Sequence, residues 1–138
     1  MRGAFLVLLA AIPMFAADAD FETGSLVNGR GWASMNRDMK VSYLHAVYDC
    51  AQVAPMLTPG SKQGSGIMST IDMEGTTFDE MSKAIDSFYG ESLNGRVPII
   101  FGLQWVKMKH DGASTTALEQ KAATFRAFFN AVKNTPPQ

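Results

Sequence analysis

The sequence predicts an all-α fold, a small antiparallel bundle of about four helices. Several segments carry apolar residues at three- and four-residue spacing, which places those residues on one face of an α-helix. Capping patterns begin these segments, and glycine or proline ends them. The connections between the later segments are short, and short connections favour antiparallel neighbours.

The composition is that of one globular domain. The chain has 138 residues, of which 46% are apolar and 18% are charged. Domains commonly contain roughly 100–150 residues. The formal net charge of −1 gives no reason to expect a nucleic-acid partner, because binding to phosphates needs clustered Lys and Arg.

The first 19 residues are predicted to form a cleaved signal peptide. Arg2 supplies a positive charge, residues 4–15 (AFLVLLAAIPMF) are apolar, and Ala17-Asp18-Ala19 offers a cleavage site, with cleavage after Ala16 as the alternative. The apolar run is shorter than the roughly 20 residues that span a bilayer. We therefore expect an exported protein, periplasmic or secreted. Its single helical domain would occupy residues 20–138, without a transmembrane anchor.

The first helix is predicted at residues 36–53, after an irregular lead-in at 20–35 from which Trp32 folds back onto the core. Asn36 is a suitable N-cap. One face of this helix is apolar and is expected to be the centre of the core: Met39, Tyr43, Ala46, Val47, Cys50 and Val53. Cys50, the only cysteine, is expected to be a buried apolar side chain, with a reactive or intermolecular thiol as the alternative.

A Gly/Pro-rich loop is predicted at residues 55–66, with Pro55 ending the first helix or marking its last turn. Residues 67–74 are compatible with an extended segment or a helical turn. Thr77 to Glu80 has the form of a capping box, so the second helix begins there and ends at Gly90.

The segment at residues 98–109 is compatible with a helix or a strand. We expect a helix, since no confident second strand is available to pair with it. The last helix is expected to start near Thr115 or Thr116, where Thr116 to Glu119 is a second capping-box match. Its apolar stripe contains Leu118, Ala122, Phe125, Phe128, Phe129 and Val132, and Lys121 falls inside that stripe.

The best candidate binding residues lie on the outer side of the first helix. Asp38, Ser42, His45 and Asp49 follow one another at steps of four, three and four, which makes one polar ridge. His45 and Asp49 are one turn apart and are able to share a hydrogen bond, while Tyr48 is placed on the same side. A ridge of this kind suits an ion or proton transfer, but a solvated helix face explains it more simply.

Signals for catalysis, metals and cofactors are weak. A metal site usually needs three or four protein ligands, and no H-x-x-x-H or H-E-x-x-H spacing occurs. No G-x-S-x-G elbow places a nucleophile. We therefore predict no catalytic residue, no metal and no cofactor. The aromatic residues of the first helix and the Phe88-Tyr89 pair are expected to be core, with a ligand groove as the alternative.

Several short motifs stand in a recognisable order: Trp32, residues 40–44 (KVSYL), Tyr48-Asp49, Phe88-Tyr89, Asn94 and residues 97–99 (VPI). This order resembles a group of short exported bacterial proteins that have no assigned function. The resemblance implies export and a helical fold, and it carries no active site. Ala46 and Cys50 stand where that group has glycines, so the packing of the first helix is expected to differ.

The sequence therefore favours a non-enzymatic exported protein that binds a protein partner in the cell envelope or outside the cell. The first alternative is a small-molecule or ion binder, or a minor hydrolase, that uses His45 and Asp49. The second alternative is a structural or stress-protective periplasmic protein.

Overall fold

The computed structural model describes residues 22–23, 26–57 and 68–132. Its elements, in chain order, are strands β1 (Glu22–Thr23) and β2 (Leu26–Val27), helices α1 (Gly29–Ser34), α2 (Arg37–Leu57) and α3 (Phe78–Tyr89), a 3-10 helix (Ser92–Asn94), and helices α4 (Ile99–His110) and α5 (Thr115–Val132). A further helical turn covers 68–71. The two strands form one antiparallel hairpin of two-residue strands. The predicted all-α fold is confirmed.

The helices pack in chain order. Helix α3 contacts α2 and α4, and α5 packs against α4. Phe101 of α4 stacks edge-on against Phe125 of α5, with ring centroids 5.2 Å apart. Further along α4, Trp105 Nε1 donates a hydrogen bond of 3.0 Å to the Leu118 carbonyl near the start of α5. These contacts show that α4 and α5 run antiparallel.

Two apolar clusters form the core. The larger one lies between α1, α2, α3 and α4, and it includes Trp32, Leu44, Ile71, Ile85 and Leu103. The smaller one joins the ends of α3 and α4 to α5: Phe88, Val97, Ala122, Phe125 and Phe129. Trp32 is only 1% exposed, which confirms that the lead-in folds back onto the core.

The predicted caps of α2 and α3 are present. Asn36 Oδ1 accepts a hydrogen bond of 2.9 Å from the Met39 amide. Thr77 and Glu80 form the reciprocal capping box, in which each side chain accepts from the other residue's amide, at 3.3 Å and 2.8 Å. The segment at 98–109 is helical, as expected, and α4 begins directly after Pro98.

Some local predictions differ from the structure, and where two alternatives were open the structure has one of them: the last turn of α2 for Pro55, and a helical turn at 68–71. The lead-in contains a short helix, α1, because Asn28 Oδ1 accepts from the Arg30 and Gly31 amides and caps it. Helix α2 continues through Pro55, which lies in its last turn, to Leu57. The rest of the predicted loop, residues 58–66, and the predicted signal peptide lie outside the described residues. Residues 67–74 contain a helical turn, which buries Ile71.

The cap of α5 also differs. The helix begins at Thr115, one of the two predicted starts, but its cap is Ser114 and not Thr116: Ser114 Oγ accepts a hydrogen bond of 3.2 Å from the Ala117 amide. The apolar stripe of α5 is buried at Leu118, Ala122, Phe125 and Phe129, whereas Phe128 is 60% exposed. The Lys121 ammonium lies 5.0 Å from the centre of the Phe125 ring, so its stem covers the stripe while the charge stays outside.

The buried face of α2 is a correction to the sequence analysis. The residues that enter the core are Leu44, Tyr48 and Ala51. Of the predicted core stripe, Tyr43 and Val47 are half-buried and pack against this core, whereas Met39 is 53% and Val53 43% exposed and Cys50 is also exposed. With about 100° per residue, the two faces are about 120° apart. The burial predicted for Cys50 is therefore wrong.

Candidate functional site

The predicted polar ridge of α2 is on the surface, but its central hydrogen bond is absent. His45 and Asp49 are both exposed, and no hydrogen bond joins them in the described part of the chain. The His45 ring instead lies against the Phe78 ring of α3, with centroids 4.0 Å apart and planes inclined at 52°. Asp38 forms a long, exposed ion pair of 3.7 Å with its neighbour Arg37.

The described side chains do not support a metal site on this ridge. Over the described ranges, no three or more His, Cys, Asp or Glu side chains are grouped so that they could hold a metal ion. The stacking of His45 on Phe78 also orients the imidazole without the help of a carboxylate. Asp38, His45 and Asp49 are thus exposed side chains of α2, and His45 is held by an aromatic contact.

Tyr48 does not belong to that ridge, so its predicted place there is wrong. It is only 7% exposed, and its hydroxyl donates a hydrogen bond to the Ile71 carbonyl. Its ring packs edge-on against Phe78 at 5.1 Å. Burial, with the negative charge of Asp72 as a second cause, raises the pKa of Tyr48 to about 12. Tyr48 therefore joins α2 to the helical turn at 68–71 and to α3.

The Phe88-Tyr89 pair is core, as the simpler of the two interpretations predicted. Phe88 is 2% exposed and stacks against Trp105 at 5.2 Å. The Tyr89 hydroxyl donates a hydrogen bond of 2.8 Å to the Val97 carbonyl. Burial raises the pKa of Tyr89 well above its usual value. This pair joins α3 to the start of α4.

The end of α4 carries a small charged cluster. Lys107 Nζ lies 2.7 Å from Asp111 Oδ2, and His110 Nδ1 lies 3.3 Å from Asp111 Oδ1. The hydrogen bond from Lys107, followed by the contact with His110, holds the pKa of Asp111 below its usual range. Lys107 complements both Asp111 and the negative end of the helix dipole, so a structural role accounts for this cluster.

The most distinctive surface is an apolar groove beside α2. It has a volume of about 550 Å³. One wall is made by α2 residues of the predicted stripe, including Tyr43, Ala46 and Cys50. Ile100 and Gln104 of α4 contribute to the opposite side. The groove thus lies along the face of α2 that the sequence analysis assigned to the core.

One row of α2 residues borders this groove and continues beyond it at both ends, and we call it the α2 face: Met39, Tyr43, Ala46, Cys50, Val53 and Leu57. Large exposed apolar side chains concentrate near it. Seven such side chains occur in the described ranges, and four of them lie on α2: Met39, Val53, Met56 and Leu57. Leu57 and Met56 are each 76% exposed. A concentration of this kind marks an interaction surface, whereas single exposed apolar residues need no explanation.

Five of the six residues of the α2 face belong to the stripe that the sequence predicts as core. A sequence signal for a different buried face is present in the same helix. Leu44 and Ala51 form another apolar row, about 120° around α2 from the first. A helix that is apolar on two sides is able to bury one side in its own core and offer the other to a partner.

Comparisons with known proteins give no relative for this chain. No family model, no curated protein and no solved structure matches it. Among the helices of the described residues, none combines the length and the apolar character that crossing a membrane requires. Any function must therefore be argued from the α2 face and the groove.

Proposed function

We propose that this chain is a non-enzymatic, exported helical protein whose work is done by protein–protein association through the α2 face. The observation that carries this proposal is the apolar groove of about 550 Å³ beside α2, together with four exposed apolar side chains on the same helix: Met39, Val53, Met56 and Leu57. Export rests on the predicted signal peptide. The association would take place in the cell envelope or outside the cell.

Burial of these side chains supplies the driving force. Full burial of one Val, Leu or Met side chain is worth roughly 1.5–3 kcal/mol. Burial of the four exposed apolar side chains of α2 would therefore contribute several kcal/mol to the free energy of association, before the costs of association are subtracted. A protein surface is the partner that covers an open, elongated, apolar face of this kind.

A small-molecule site has less support. Such sites are concave and combine an apolar lining with a few convergent polar groups that orient the ligand. On α2, the polar candidates His45 and Asp49 project from a different side than Cys50. His45 is also occupied by its contact with Phe78. No specific observation favours the small-molecule or ion-binding alternative over association with a protein.

Photo-cross-linking in the cell tests the proposal. A photoreactive phenylalanine analogue replaces Val53 on the α2 face or, as the matched control, Gln120, which is exposed on α5. We expect illumination to give a discrete protein adduct from position 53 and none from position 120. Mass spectrometry of the adduct then identifies the bound protein, and mixing the two purified proteins checks that they associate directly.

Equal yields of adduct from positions 53 and 120 would overturn the proposal. A discrete adduct from position 120 alone would overturn it as well, because the contact surface would then be on α5. Adducts from position 53 that contain only lipid would replace protein association by membrane binding.

A further inference from the structure

The spacing of the α2 face indicates what covers it. Its six residues, Met39, Tyr43, Ala46, Cys50, Val53 and Leu57, follow one another at steps of four, three, four, three and four. This is the a/d pattern of the heptad repeat, the spacing by which two α-helices pack along a common seam. From this spacing we infer that the α2 face binds the α2 helix of a second copy of this chain. The inference rests on the proposed function and names its partner.

The α2 face, which would form this seam, carries no charge. All six side chains are uncharged, and the nearest charged residues, Lys40 and Asp49, lie beside the seam. Lys40 is held by its ion pair with Asp86, at 2.7 Å. Charged residues in coiled coils commonly occupy such flanking positions, next to the apolar seam.

The positions of small and large residues along the seam suit pairing with a second copy. The two smallest, Ala46 and Cys50, lie at the centre, while Met39 and Leu57 lie at the ends. In a parallel pair each residue meets its own counterpart. In an antiparallel pair Ala46 meets Cys50 and Met39 meets Leu57. Either direction brings small residues together at the crossing point, which permits helix axes about 8–10 Å apart.

The rest of α2 leaves the seam available. Leu44, Tyr48 and Ala51 anchor another side of the helix in the core of its own chain, and of the six seam residues Tyr43 alone packs partly against that core. Helix α2 can therefore present the seam without leaving its own domain. The groove beside the seam, with Ile100 on its far side, adds apolar surface to receive the second helix.

Measurement of the molar mass in solution tests the inference. The protein, purified as the cell processes it, is studied by sedimentation equilibrium over a wide range of concentrations. Val53→Glu introduces a charge into the seam. Gln52→Glu introduces the same charge on the neighbouring residue, which is exposed and lies about 100° around the helix.

We expect the wild type and Gln52→Glu to have twice the chain mass, and Val53→Glu to have the mass of one chain. The dissociation constant of Val53→Glu should rise by more than about tenfold, because an unpaired carboxylate is disfavoured in an apolar contact. Circular dichroism and the melting temperature check that each variant is folded. Ala46→Glu replaces Val53→Glu if the latter does not fold.

Alkylation of Cys50 gives a second measurement. The thiol is exposed in the single chain and covered in the pair. We expect the rate of alkylation to fall as the concentration of the wild type rises, and to be independent of concentration in Val53→Glu. A rate that does not depend on the concentration of the wild type would contradict the inference.

A wild type that remains a single chain at every concentration would overturn the inference, and so would a Val53→Glu variant that still pairs like the wild type. A single chain that nevertheless gives a cross-linked adduct with a different protein from position 53 overturns the inference but supports the proposed function. A single chain without any adduct overturns both.

Discussion

Trp32 Nε1 donates a hydrogen bond of 2.7 Å to Asp86 Oδ1, although the two residues are 54 positions apart. The Lys40 ammonium binds the same carboxylate oxygen at 2.7 Å and lies 5.2 Å from the centre of the Trp32 ring. One oxygen therefore joins α1, α2 and α3. This contact ties the start of α2 and helix α1 to α3.

Asp86→Ala should lower the free energy of unfolding by roughly 1–3 kcal/mol, because the part-buried indole N–H of Trp32 loses its acceptor. Asp86→Asn keeps an acceptor oxygen and should cost less. Asp49→Ala, which removes an exposed carboxylate of α2, is the control and should change the free energy by less than about 0.5 kcal/mol. Chemical denaturation measures all three. An equal effect of Asp86→Ala and Asp49→Ala would refute the role of Asp86.

Ser114→Ala should destabilise the protein by about 1 kcal/mol, since the Ala117 amide loses its cap at the start of α5. Thr116→Ala should have little effect, although the sequence pattern makes Thr116 the first residue of a capping box. Thermal unfolding of the two variants under identical conditions separates the two positions. A larger destabilisation by Thr116→Ala than by Ser114→Ala would show that Thr116 is the cap.

Gly29→Ala should be destabilising by about 1–3 kcal/mol, because a Cβ at this position would lie 2.3 Å from Cδ1 of the Tyr89 ring. A double-mutant cycle with Tyr89→Ala measures the clash directly. The penalty of Gly29→Ala should become smaller once the ring is absent. An unchanged penalty would show that the backbone of α1, and not the ring, requires glycine.

Tyr48 should make the stability fall at alkaline pH. The pKa of its hydroxyl is raised to about 12 by burial in the folded state, against about 10 in the unfolded state. Its contribution is therefore complete below pH 10 and is lost as the pH rises from about 10 to about 12.

The variant Tyr48→Phe isolates this contribution. It should be less stable than the wild type at pH 7, because the Ile71 carbonyl loses its donor. The difference between the two proteins should become smaller above pH 10. Denaturation at a series of pH values measures the difference, and a gap that stays constant up to pH 12 would exclude the hydroxyl of Tyr48 as its cause.

Much of the fold follows from local sequence signals. Asn36 and the pair Thr77 and Glu80 mark helix starts that the structure contains, because a side chain that satisfies free amides acts within a few residues. The size of the Trp32 side chain is enough to predict that it lies in the core. For α5 the sequence pattern favours Thr116 as the cap, whereas the structure has Ser114. Both hydroxyls are chemically suitable, and the fold of the surrounding turn selects between them.

The candidate site was less accessible to sequence analysis. The polar ridge with His45 and Asp49 was visible in the sequence, but its expected hydrogen bond is replaced by a contact with Phe78, which lies more than thirty positions away. A contact of this kind depends on how α2 crosses α3. The spacing within α2 contains no information about that crossing.

The sequence by itself determined that this protein is helical, where most helices lie, and that α2 has a row of apolar residues from Met39 to Val53. Only the tertiary structure decided which side of α2 is buried. Helical periodicity specifies the faces of a helix, but burial is decided by what packs against them. Trp32, Ile71 and Ile85 form the core with Leu44, so Met39, Cys50 and Val53 stay exposed.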